Sequence, residues 1–173
     1  MSEFVILDLS VHRLAFLELC EEYFDWMASE LQKNYDIDVS SLLGISLRDF
    51  VESNVDEFTT SISSDGVLYL LREKEEIIGM GALRKLKEGT GEVKRMYIKP
   101  EYRGKGLGRE MLQLLLNKCK EYGFSEICLE TGAFMTTAQG LYRSMGFHDR
   151  IEYPETEVPP QLRRFWLFME KRI

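Results

Sequence analysis

The stretch Glu92-Val93-Lys94-Arg95-Met96-Tyr97-Ile98-Lys99-Pro100-Glu101-Tyr102-Arg103-Gly104-Lys105-Gly106-Leu107-Gly108-Arg109 sets the reading of the whole chain. Its first seven residues alternate and are rich in β-formers, which predicts a strand. Pro100 ends it, because proline brings no N–H to a ladder. Arg103 to Gly108 is a glycine-rich turn, and an amphipathic pattern starts directly behind it. Strand, glycine turn and helix together aim unpaired backbone N–H groups at an anion. Gly104, Gly106 and Gly108 carry no Cβ, so a phosphate can come close to the main chain. Arg103, Lys105 and Arg109 add positive charge at the same place. The segment reads as a pyrophosphate cradle. It is not a P-loop, which needs G-x-x-x-x-G-K-[ST]. It is not a dinucleotide fingerprint either, because its glycines alternate as G-x-G-x-G.

The cradle stands out against an acidic chain. There are 29 Asp and Glu against 22 Lys and Arg, and the net charge of −7 argues against general nucleic-acid binding. A length of 173 residues is enough for one domain, 1–173, with a good core. No apolar run approaches a membrane span. Glu3 and Asp8 stand where a signal peptide would be basic, so none is expected. Cys20, Cys119 and Cys128 are odd in number, irregular in spacing and set in apolar patterns. They predict reduced core thiols and a cytoplasmic protein. His12 and His148 are isolated, and no metal site is expected.

Outward from the cradle, periodicity supplies the other elements. Phe4 to Leu7 predicts a first strand. Leu14, Leu17, Cys20, Phe24, Met27, Leu31 and Tyr35 recur at three and four and predict one helix face. Asp36 to Gly44 reads as a loop. Ser46 and Asp49 resemble a capping box before a second helix face of Leu47, Phe50, Val51, Val55, Phe58 and Ile62. Ser63-Ser64-Asp65-Gly66 is a turn, and Val67 to Arg72 and Ile77 to Leu86 are strands joined by a charged hairpin. Gly79 and Gly81 inside the second imply a close neighbour or a bulge. The helix behind the cradle carries Leu107, Met111, Leu114, Leu115, Cys119 and Tyr122, and Gly123 suits its C′ position. Ser125 to Glu130 is a strand. Thr136 or Thr137 could cap a short helix closed by Gly146. Phe147 to Tyr153 and Phe165 to Lys171 are the last strands, with a proline-stiffened loop between them.

Arg103-Gly104-Lys105-Gly106-Leu107-Gly108 resembles the [QR]-x-x-G-x-[GA] loop of the GNAT N-acetyltransferase superfamily. Leu141-Tyr142-Arg143-Ser144-Met145-Gly146-Phe147 resembles that family's L-Y-x-x-x-G-F signature. The likeness covers residues 65–150 well, and the N-terminal part agrees in layout. It implies an α/β (α+β) fold: a single-domain, GNAT-like mixed, mostly antiparallel sheet flanked by about four helices. By the same likeness the sheet splays between its two central strands, here Glu92–Lys99 and Ser125–Glu130.

The resemblance also implies acetyl-coenzyme A as cosubstrate, no metal, and acetyl transfer to a primary amine of a small molecule or peptide. Cofactor contacts are then expected at Met96, Tyr97, Ile98, Arg103, Gly104, Lys105, Gly106, Leu107, Gly108 and Arg109. A backbone N–H near Met96 or Tyr97 would polarise the thioester carbonyl. Tyr142 corresponds to the family's tyrosine near the sulfur, where a phenol can protonate the departing thiolate. Glu92 stands where some members carry the base, and Glu130 is its rival. Simple alternation puts Glu92, Lys94 and Met96 on one face and Val93, Arg95 and Tyr97 on the other. Met135 stands near the place where many members have Asn. Glu18, Glu21, Glu22 and Asp25, with Glu152, Glu155 and Glu157, would border the acceptor side and draw a cationic amine. No nucleic acid or membrane partner is expected, and a homodimer is left open. The rival classes are a non-catalytic coenzyme A-sensing module and a nucleic-acid-binding domain.

Overall fold

The runs of β-formers between Val67 and Ile98 become the middle of a seven-stranded sheet. The computed structural model describes residues 2–60 and 65–173. In chain order these are β1 (Ser2–Ile6), α1 (Leu9–Tyr35), α2 (Val39–Leu43), α3 (Leu47–Thr60), β2 (Val67–Glu73), β3 (Glu76–Lys87) and β4 (Thr90–Ile98). There follow α4 (Leu107–Glu121), β5 (Glu126–Gly132), α5 (Thr136–Ser144), β6 (His148–Arg150) and β7 (Trp166–Arg172). The sheet order is β1-β2-β3-β4-β5-β7-β6, and every pair is antiparallel except β4 with β5. The mixed, mostly antiparallel sheet is therefore as expected.

Each face of the sheet has its own core. Met111, Leu112, Leu115 and Cys119 of α4 pack on Leu83, Val93, Ile127 and Leu129, and all of them are buried. On the other face Phe16, Leu19 and Cys20 of α1 and Val51 and Val55 of α3 cover Leu68, Leu70, Met80 and Ala82. Gly81 lets α4 come close, since a Cβ there would lie 2.8 Å from Met111 Cγ. A Cβ on Gly79 would meet Ile98 Cδ1 at 2.6 Å. Both strand glycines thus answer to close neighbours.

Several local expectations change. The sequence predicts about four helices, and five α-helices are present among the described residues, because Asp36 to Gly44 is not all loop. Asp38 accepts from the Ser41 N–H and Gly44 closes the turn at φ +72°, which together hold the five-residue α2. α1 starts at Leu9, capped by Asp8, and its buried set is Phe16, Leu19, Cys20 and Leu31. Leu14 is 71% exposed, because the stripe rotates toward Phe16 at the N-terminal end. Ser46 caps the Asp49 N–H as expected. Neither Thr136 nor Thr137 caps α5; Met135 precedes its first residue and offers no side-chain bond. Only His148–Arg150 of the expected Phe147–Tyr153 strand pairs. Ile62 and the Ser63–Ser64 half of the expected turn lie outside the described residues. Among the described residues, no helix is long and apolar enough to cross a membrane.

Candidate active site

The site begins with one extra residue in β4. Met80 pairs with Tyr97 but Ala82 pairs with Lys94, so β4 advances three residues while β3 advances two. Arg95 absorbs the excess at φ +52°, a left-handed conformation rare for a side chain of this size. The bulge overturns the simple alternation. Met96 joins the α4-side core with Val93, whereas Tyr97 joins the α1-side core and Arg95 lies 4.2 Å over the Phe58 ring of α3. β4 then leaves β5: their ladder runs only from Thr90↔Glu126 to Val93↔Leu129. Beyond it a cleft of about 440 Å³ opens between the strands. Leu107, Gly108, Leu141 and Tyr142 line it from the α4 and α5 side, and Tyr23, Trp26 and Phe134 from the other. The cleft therefore passes through the sheet.

The glycine turn forms one end of the cleft. Gly104 and Gly106 have φ of +78° and +86°, and Gly106 is the N-cap of α4. Leu107 and Gly108 are its first helical residues, so their N–H groups have no acceptor within the helix. The N–H groups of Gly104, Lys105 and Gly106 also find no acceptor among the described residues. A Cβ on Gly106 would meet nothing within 4 Å. Met96, Tyr97, Ile98, Arg103 and Arg109 line the same cleft. The three cations do not gather as expected. Arg103 Nε donates to the Ile98 carbonyl at 2.8 Å, and its guanidinium lies 5.1 Å over the Trp26 ring. Lys105 turns onto Tyr102 and is off the cleft wall. Arg109 Nη2 donates to Ser144 Oγ at 2.7 Å, tying α4 to α5 beside the turn.

The candidate catalytic groups part company. Tyr142 lies on the cleft wall at 6% exposure, and burial pushes its phenol well above its ordinary value. It stays protonated at neutral pH and so has a proton to give. Glu92 has no exposure and is not on the cleft wall. Its Oε1 accepts from the Tyr153 hydroxyl and its Oε2 from Arg84 Nε, both at 2.6 Å. Burial pushes its pKa up, against the pull of Lys94 and Arg84. Glu130 does line the cleft. Its Oε2 accepts from Lys94 Nζ at 3.0 Å, and its buried Oε1 has no partner. The other buried side-chain atom without a partner among the described residues is Arg95 Nε, on the same cleft.

The acidic border expected for the acceptor is mostly spent on internal pairs. Glu22 accepts from the Tyr97 hydroxyl at 2.8 Å, and Glu21 lies 3.7 Å from Arg48. Glu152 pairs with Arg163, and Glu157 pairs with Arg84 and with Lys94 at 3.1 Å. Arg143 pairs with Asp149, and Met135 lines the cleft. Sequence reasoning missed Arg95, Tyr153 and the inward turn of Glu157. Tyr153 and Glu92 are 61 positions apart, and no local pattern links them. The aromatic run Tyr23-Phe24-Asp25-Trp26 was the one visible sign of the cleft's second wall. The cysteines are free and buried, and burial raises all three thiols. Glu126, Cys128 and Glu170 cluster, but Arg150 occupies their centre, 2.7 Å from Glu170 and 3.3 Å from Cys128 Sγ.

The family model described as acetyltransferase (GNAT) family matches residues 18–147. An IAA acetyltransferase of Azospirillum brasilense is 38% identical over 101 residues, 58% of this chain and 63% of that protein. An uncharacterized N-acetyltransferase, YjgM, of Escherichia coli K12 is 34% identical over 106 residues, 59% of this chain and 63% of that protein. The chain thus spans less than two-thirds of the length of these curated relatives. A PaiA N-acetyltransferase of Thermoplasma acidophilum, solved in complex with coenzyme A, superposes with a TM-score of 0.71. It is 18% identical, and the match covers 100% of this chain and 99% of that one.

Proposed function

The chain belongs to the GNAT acetyltransferase family, and from that premise we propose that it transfers an acetyl group from acetyl-coenzyme A to a primary amine. One observation carries the reading. A single cleft through the sheet joins the unpaired N–H groups of the glycine turn to Tyr142 and to the free oxygen of Glu130. The N–H groups of Gly104 to Gly108, with the positive end of α4 behind them, suit the pyrophosphate. The pantetheine arm then lies between β4 and β5, along the facing strand edges that do not pair with each other beyond Val93 and Leu129. A backbone N–H at Met96 or Tyr97 polarises the thioester carbonyl.

Glu130 takes a proton from the incoming ammonium. The neutral amine attacks the carbonyl carbon, the carbon–sulfur bond breaks, Tyr142 gives its proton to the thiolate, and the second proton shed by the new amide nitrogen restores the phenol while Glu130 releases its own to solvent. Glu130 is the base in this scheme because its Oε1 is free on the cleft wall, whereas both oxygens of Glu92 are taken. Glu92 holds Arg84 and Tyr153 beneath the site. The three unpaired, buried thiols favour a reducing compartment, the cytoplasm.

The test combines binding and turnover. Coenzyme A should raise the melting temperature, and thiol should be released from acetyl-coenzyme A when an amine panel is added. Binding without release from any amine would leave a coenzyme A-binding module. No binding would remove the reading altogether.

A further inference from the structure

Arg95 is the most unusual residue of the cleft. It is a guanidinium held in a left-handed backbone conformation at φ +52°, which persists only where the surroundings impose it. It lines the cleft, and its Nε is buried without a partner. Among the described residues no carboxylate lies within ion-pair distance of it: Glu157, whose charge acts on it most strongly, is held in direct pairs by Arg84 and Lys94, and the guanidinium rests on the Phe58 ring. The other two arginines of the cleft wall are satisfied, Arg103 by the Ile98 carbonyl and Arg109 by Ser144. A half-buried cation with no carboxylate in direct contact is costly, and an anion that reaches it recovers that cost.

That anion is not the pyrophosphate. The glycine turn and Arg109 sit at the start of α4, on one face of the sheet, whereas Arg95 faces α3 on the other. The face around Arg95 also supplies Tyr23, Trp26 and Phe134 to the cleft wall, an apolar and aromatic surface. Glu130 offers the complementary defect, a buried carboxylate oxygen without a donor. One cleft thus presents an unmatched positive group, an unmatched negative group and an aromatic wall.

We propose that the acceptor is an aminocarboxylate, a free amino acid with an apolar or aromatic side chain, whose carboxylate pairs with Arg95 while its amine meets Glu130. This rests on the transferase reading above and names its substrate class. It replaces the expectation of a purely cationic acceptor, because four of the seven acids that would have drawn one, Glu21, Glu22, Glu152 and Glu157, are paired internally. Arg95 is then a specificity-determining residue, and its contact is made with the half of the acceptor that does not react.

The experiment compares each amino acid of a panel with its own amide, which keeps the amine and side chain and removes the negative charge. Thiol release from acetyl-coenzyme A is the readout. For the best acceptor, kcat/KM should exceed that of its amide by about 10–100-fold, the effect of a hydrogen bond to a charged group. Arg95→Gln should raise KM for the amino acid by a similar factor and leave KM for the amide and for acetyl-coenzyme A in place. Arg95→Lys, which keeps the charge, should restore part of the preference and serves if the Gln variant melts early. Two results overturn the assignment: an amide or a simple amine as the best acceptor, or a Gln variant that slows acid and amide alike. Release from no acceptor, with coenzyme A still bound, overturns the transferase reading and this assignment with it.

Discussion

Lys94 lies 3.0 Å from Glu130 Oε2 and 3.7 Å from Glu92 Oε1, and the two carboxylates it joins have different work. Glu130→Gln keeps the shape and removes the base. We expect kcat/KM to fall by about 10²–10⁴-fold with the melting temperature little changed. Glu92→Gln should do the reverse. It strips a buried partner from Arg84, so the melting temperature falls, while turnover by the folded protein stays within about tenfold. A rate measurement and a melting curve on both variants decide the roles, and a slow but stable Glu92→Gln protein would exchange them. Tyr142→Phe removes one hydroxyl from a buried ring. Turnover should drop about 10²–10⁴-fold with acetyl-coenzyme A affinity retained, and full turnover would leave Tyr142 to the core alone. The sequence pointed to Tyr142, Glu92 and Glu130 through neighbours along the chain. It could not rank the carboxylates, because their environments come from Arg84, Tyr153 and Lys94 across the sheet. It hid Arg95 because φ > 0 is signalled in a sequence mainly by glycine, and none stands there.

Among the elements, the glycine turn was the most legible, since its chemistry is local: backbone groups, missing Cβ atoms and a helix start. At Gly106 a side chain has room but the backbone is left-handed. Gly106→Glu should therefore fold with a modest penalty of about 1–2 kcal/mol and lose coenzyme A, because it sets a negative charge where the phosphates lie. A folded variant with unchanged coenzyme A affinity in calorimetry would reject the cradle. The strands were legible through alternation, and α2 was not, because five residues give no period to read. The segment between β6 and β7 was least legible, for its anchors are tertiary. Burial pushes the Glu157 carboxyl up, but Lys94 and Arg84 outweigh it and hold the carboxyl below its ordinary value. A depressed carboxyl contributes stability above its unfolded pKa and loses it as pH falls through the folded one. The segment should loosen on acidification below about pH 4.5. Glu92 shifts the opposite way and cannot cause that loosening. Hydrogen exchange of residues 151–162 between pH 3 and pH 7 would show it, and uniform protection across that range would refute it.

At the scale of the molecule, the two halves of the sheet share a parallel ladder of only four residue pairs, backed by α4 packing on Leu83 and Val93 of one half and Ile127 and Leu129 of the other. Coenzyme A seated between β4 and β5 would bridge them. At a hundred times its dissociation constant it should add about 2.7 kcal/mol of stability, roughly 5–10 °C in the melting temperature of a chain of this size. Exchange should slow most at 94–98 and 129–132; protection confined to the glycine turn would deny the bridge. The cleft also falls where the chain itself divides. β1 to β4 and α4 end at Glu121, and β5, α5 and β7 follow the exposed Gly123 turn. The cradle is encoded entirely before that turn, and Glu130 and Tyr142 entirely after it. A gene cut at Gly123 would yield two silent fragments, one carrying the phosphate cradle and the other the proton-transfer groups. Fused to proteins that associate, they would regain thiol release only when brought together, so the seam of the sheet doubles as the junction of a split reporter.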